Sequence, residues 1–112
     1  MNAMQTAVTM LTNLLAAGDY VTVERMTRGR RLSAADLRRA VEDYGRTLVR
    51  LPPEQIQNLD VIEIVDSNPP AFSVVVDLWT REEGRSDLTL ELELVDRFNG
   101  AYDISIQNLH VL

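Results

Sequence analysis

The 112-residue sequence contains no cysteine. This excludes disulfides, thiolate metal sites and thiol nucleophiles. It contains no lysine either, so every basic side chain is an arginine, as expected of a GC-rich bacterial genome. His110 is the only histidine, which leaves no second imidazole for a metal site. The few aromatics do not interleave with the arginines, and no glycine-rich run could cradle a phosphate. No apolar run approaches the roughly 20 residues needed to cross a bilayer. Met4 to Leu15 is broken by Thr6, Thr9, Thr12 and Asn13, unlike the apolar run of a signal peptide. The expectation is a soluble, cytoplasmic protein of one domain, residues 1–112, bound to neither membrane nor nucleic acid.

Charge is present but uneven. Residues 1–53 hold eight arginines against five acids, and residues 54–112 hold three against twelve, for a net charge of −6. The split predicts a basic helical side and an acidic sheet side. An acidic sheet repels nucleic-acid phosphates.

The clearest pattern lies in the last third. Leu88, Leu90, Leu92 and Leu94 alternate with Thr89, Glu91 and Glu93, the period of a strand with one face in a core. Phe72, Val74, Val76 and Leu78 alternate against Ser73, Val75, Asp77 and Trp79. Tyr102, Ile104 and Ile106 oppose Asp103, Ser105 and Gln107. Strands are predicted over about residues 59–65, 72–80, 87–95 and 101–109. Arg81 to Ser86 forms a charged hairpin loop, and Asn99-Gly100 makes a turn through positive φ. The first strand reads as an edge with both faces partly covered, and its inward set is either Leu59, Val61 and Val65 or Ile62 and Ile64.

The first half is helical. Met4, Ala7, Val8, Leu11, Leu14 and Leu15 recur at helical spacing and Gly18 follows, giving a helix at about 3–17. Asp19 caps a helix at about 20–27. Ser33 and Asp36 form a capping box, and Leu32 and Leu37 staple it, opening a helix at about 34–46 whose stripe runs on to Leu48. Pro52-Pro53 excludes further helix and begins a loop. Helices followed by strands mean α+β: N-terminal helices on one face of a four-stranded antiparallel meander.

The run Leu14-Leu15-Ala16-Ala17-Gly18-Asp19-Tyr20, and the close on Asn108-Leu109-His110-Val111-Leu112, resemble the nuclear-transport-factor-two-like (SnoaL-like) superfamily. The resemblance implies a curved sheet wrapping helices into a cone-shaped cavity, with dimerisation through the sheet. No strand pair is evident between the second and third helices, which also allows a simpler cystatin-like helix-over-sheet arrangement. Activities in that superfamily run from isomerases, dehydratases and hydrolases to non-catalytic binding domains, so fold does not carry function across.

Inward strand positions are almost entirely aliphatic, so no catalytic residue, metal or cofactor is assigned. The carboxylates lack calcium-loop spacing. To act as a base, His110 would need a carboxylate partner, with Asp103 or Asp19 as candidates. Tyr20, Tyr44, Tyr102 and His110 are the candidate lining of a small-molecule pocket. Arg28, Arg30, Arg31, Arg38 and Arg39 are a candidate anion patch. The outward face offers an aromatic anchor in a polar rim: Trp79 with Val75, Asp77, Glu91 and Glu93. The expected function is a non-enzymatic protein-interaction or homodimerisation domain, of which an immunity-type protein covering a basic toxin is one form. A small-molecule binding or catalytic cone domain is the alternative.

Overall fold

A computed structural model describes all 112 residues. Its first helix, α1 (Ala3–Ala16), opens on a capping box: Gln5 N–H donates to Asn2 Oδ1 at 2.8 Å, and Asn2 N–H donates to Gln5 Oε1 at 3.0 Å. It closes where Gly18 takes φ +74, so that Gly18 N–H reaches Leu15 O and Asp19 N–H reaches Leu14 O, each at 3.0 Å. Asp19 then caps α2 (Tyr20–Thr27), accepting from Thr22 N–H at 3.2 Å and from its hydroxyl at 2.7 Å. The Ser33–Asp36 box opens α3 (Ala34–Tyr44). This helix stops two residues short of expectation, because Gly45 adopts φ +74 and ends it.

The first strand, β1 (Leu48–Val49), was not foreseen. Leu48, placed by periodicity on the stripe of α3, instead pairs with Thr80. A short helix, α4 (Pro53–Gln57), occupies the stretch expected to be loop. Pro53 stands at its first position, where a missing N–H costs nothing and a fixed φ suits the helix. The remaining strands are β2 (Asp60–Glu63), β3 (Ala71–Thr80), β4 (Gly84–Asp96) and β5 (Tyr102–Val111). The β3–β4 loop is only Arg81 to Glu83, since Gly84 already pairs with Thr80. In the β4–β5 turn the positive φ values fall on Phe98 and Gly100 rather than on Asn99, whose side chain instead accepts from Ala101 N–H at 3.1 Å.

The fold is α+β. The sheet is antiparallel, in the order β1-β3-β4-β5, with β2 sharing the outer edge of β3 with β1. Sheet and helices meet in one core, where Val8, Leu11, Leu15, Val23, Leu37 and Val41 pack with Leu88, Leu90, Leu92 and Leu94. Each leucine so buried contributes about 2 kcal/mol. The arginine-rich segment therefore forms one layer and the acid-rich segment the other. No helix is long and apolar enough to cross a membrane.

Two bulges tune the sheet. In β5, Asn108 pairs with Glu91 and Ile106 with Leu92, which leaves Gln107 without a partner. The side-chain phase slips by one there, so Leu109 turns inward and His110 outward. In β4, Thr89 pairs with Asp77 and Arg85 with Trp79, so Ser86, Asp87 and Leu88 face Leu78 alone. Ser86 fills the gap: its hydroxyl donates to Leu78 O at 2.7 Å and accepts from Leu88 N–H at 3.2 Å.

The β2 expectation needs correction. Neither of its candidate inward sets is buried; every residue from Asp60 to Asp66 is exposed. The strand pairs only with β3 and contributes no residue to the core.

Candidate functional site

The outward face of the sheet is built in rows by strand register. Asp77, Thr89 and His110 make one row, Val75, Glu91 and Asn108 the next, and Ser73, Glu93 and Ser105 a third. Cross-strand neighbours of this kind stand about 5 Å apart. The five residues expected to form an interaction surface, Trp79, Val75, Asp77, Glu91 and Glu93, all share this face. Thr89 is only 1% exposed although it points away from the core, and its hydroxyl donates to Asp77 Oδ1 at 3.1 Å. His110 Nε2 is shut off from water and lies 2.7 Å from Glu91 Oε2, off the line of a hydrogen bond. The carboxylate beside the histidine is therefore Glu91, not Asp103 or Asp19. The Gln107 bulge is the cause, because an unbroken strand would send His110 into the core.

Trp79 ends the face. The Arg85 guanidinium sits 5.8 Å from its ring centroid, and a Cβ on Gly84 would come to 3.7 Å from its indole nitrogen. Such stacking holds a cation and an aromatic together. Beside them a cleft of about 200 Å3 opens between the α4–β2 segment and β3, lined by Asn58, Asp60, Val75, Asp77 and Arg85.

The candidate pocket residues do not meet. Tyr20 lies under Arg38, 5.7 Å from its guanidinium, and burial raises its phenol pKa. Tyr44 ties α3 to the β3–β4 hairpin, donating to Glu83 Oε2 at 2.7 Å and accepting from Asp87 N–H at 3.2 Å. The hydrogen bond to Glu83 raises its pKa. Tyr102 packs edge-on against Phe72, with centroids 6.1 Å apart. His110 is on the opposite face of the sheet from that core. The three tyrosines border the core at separate places, and the histidine lies across the sheet from them.

The arginine patch also divides. Arg28 and Arg31 hold left-handed conformations, φ 58 and 67, around Gly29. Arg30 leaves the patch altogether. It grips both Asp103 carboxylate oxygens, at 3.1 and 2.9 Å, and donates to Ile104 O at 3.1 Å. That fork-like hydrogen bonding holds the Asp103 carboxyl below its usual pKa. Arg39 stands 3.9 Å from Asp36. No group of three His, Asp or Glu side chains is placed to hold a metal ion.

Sequence reasoning missed Thr89 and His110 as neighbours. The available signal was the switch of apolar phase from Tyr102, Ile104 and Ile106 to Leu109 and Val111, which only an unpaired residue between them can produce.

A family model described as "Domain of unknown function (DUF7668)" matches residues 12–112. The chain belongs to that family. The match takes in the whole sheet and all helices beyond the first turns of α1. No curated protein and no solved structure matches the chain.

Proposed function

We infer that the chain is a non-enzymatic protein-binding domain that presents the acidic outer face of its sheet to a basic partner. The observation carrying this reading is the contrast between the faces of β4. One packs four leucines against helices, while the other carries buried Thr89 and the half-buried carboxylates of Glu91 and Glu93, on the face that Trp79 ends. Aromatic anchors within a polar rim are the usual anatomy of a contact surface. A carboxylate-rich sheet of this size suits an immunity-type role, covering the cationic surface of a toxin. A ligand-binding cone of the SnoaL-like kind draws less support. No cleft is lined by the inward leucines of β4, and the four candidate lining residues are apart.

The test uses the chain purified together with its partner. Trp79→Ala and Glu93→Arg are each expected to weaken the complex by at least about tenfold, the effect of losing one anchor. Far-UV circular dichroism should hold. Full partner retention by both variants would overturn the reading. A self-associated chain whose dimer breaks on Trp79→Ala would replace the basic partner with a second copy.

A further inference from the structure

We propose that the open side of β2 is a docking edge for an extended, basic segment of a partner protein, which adds to the sheet as a new strand. The proposal rests on the protein-binding reading above but uses a different surface, the rim of the sheet rather than its face.

The backbone supplies the first half of the argument. Ile64 N–H donates to Ala71 O at 2.8 Å. Antiparallel residues alternate in the direction of their backbone groups, so Asp60, Ile62 and Ile64 address β3 while Val61 and Glu63 address the outside. Nothing else pairs with β2. Two residues thus offer paired donors and acceptors at the spacing that an incoming strand requires.

Side chains supply the second half. Val61, Ile62, Ile64 and Val65 are all exposed, Ile62 to 61% and Val65 to 83%. Edge strands are ordinarily blunted by short length, charged side chains, a bulge, a proline or a cover. The β2–β3 register runs unbroken from Asp60 to Glu63, no proline falls within it, nothing covers it, and its only guards are its shortness and the carboxylates of Asp60 and Glu63.

Charge selects the occupant. Asp60, Glu63 and Asp66 punctuate the segment, and no arginine occurs between Leu51 and Thr80. A second copy laid along β2 would gather like charges from both strands, which opposes self-pairing. A segment alternating Lys or Arg with β-branched residues satisfies the backbone, the apolar side chains and the carboxylates together.

The test takes the full chain and three synthetic peptides: Lys-Val-Arg-Val-Lys-Val-Arg, its Glu-for-cation counterpart, and a basic control with proline replacing valine. Amide hydrogen exchange and fluorescence anisotropy are the readouts, at about 150 mM salt to suppress loose charge pairing. The alternating basic peptide is expected to bind and to slow exchange at Val61 and Glu63 by about tenfold or more. Val61→Pro removes a donor that points away from β3, the position where an edge strand tolerates proline. It should weaken binding by about tenfold. Glu63→Arg should shift preference toward the acidic peptide. Trp79→Ala should leave peptide binding unchanged; if it abolishes binding while Val61→Pro does not, the docking edge is lost and the outer-face reading stands. Equal binding by the proline control would also overturn the proposal. So would protection of Val61 and Glu63 by self-association without peptide.

Discussion

Along β5 the rim of the sheet is closed: Arg30 comes over from the α2–α3 turn, binds Asp103 and takes the Ile104 carbonyl, and Gln107 bulges the strand. Along β2 the rim is exposed and free of bulges, with Val61 and Ile62 set between the carboxylates of Asp60 and Glu63. Both are edge strands of one sheet, yet only β5 is tied into the core, through Ile104, Ile106 and Leu109. The difference separates two kinds of edge. One stabilises the fold, and the other leaves its outward backbone groups unpaired.

The same substitution made on both strands should expose this division most plainly. Ile106→Ala removes a side chain with no exposure and is expected to cost about 3 kcal/mol in chemical denaturation. Breaking the closed rim comes next. Arg30→Ala is expected to cost about 1 kcal/mol, after allowing for its exposure, because Asp103 loses its partner. Its pH dependence has a definite sign. The Asp103 carboxyl lies below its usual value in the folded chain, chiefly through hydrogen bonding to Arg30. Its contribution is therefore complete above the unfolded value of about 4 and fades as pH falls through the lower folded value. Denaturation midpoints measured from pH 5 downward should fall less steeply in Arg30→Ala than in the wild type. The slope that survives belongs to Asp19, Asp36 and Glu82, each also lowered by hydrogen bonds. The smallest effect is expected at the bare rim. Ile62→Ala should change stability by less than about 0.5 kcal/mol. A loss near that of Ile106→Ala would mean that β2 belongs to the core after all.

What could be read from the sequence follows the length of each signal. The leucine alternation of β4 and the Ser33–Asp36 box each repeat or reciprocate a pattern, and both marked their elements. The two residues of β1 are too few for any periodicity, so Leu48 was absorbed into the preceding helix. Pro52-Pro53 reads as a stop, yet Pro53 begins α4, a position where proline serves equally well. The candidate face was legible because alternation assigns sides directly. The Glu91–His110 pair was not, since it depends on one unpaired residue, and the openness of β2 was not, since Val61 and Ile62 look like core residues wherever they stand.

The layering of charge carries a consequence for motion. An arginine-rich helical layer stacked on an acid-rich sheet makes the molecule an electric dipole, its axis running through the two layers. In the field of a cationic body the chain experiences a torque before any atom touches, felt within the roughly 8 Å screening length of physiological salt. Such a torque turns the acidic layer toward the positive charge, so orientation in that field begins during diffusion rather than after collision.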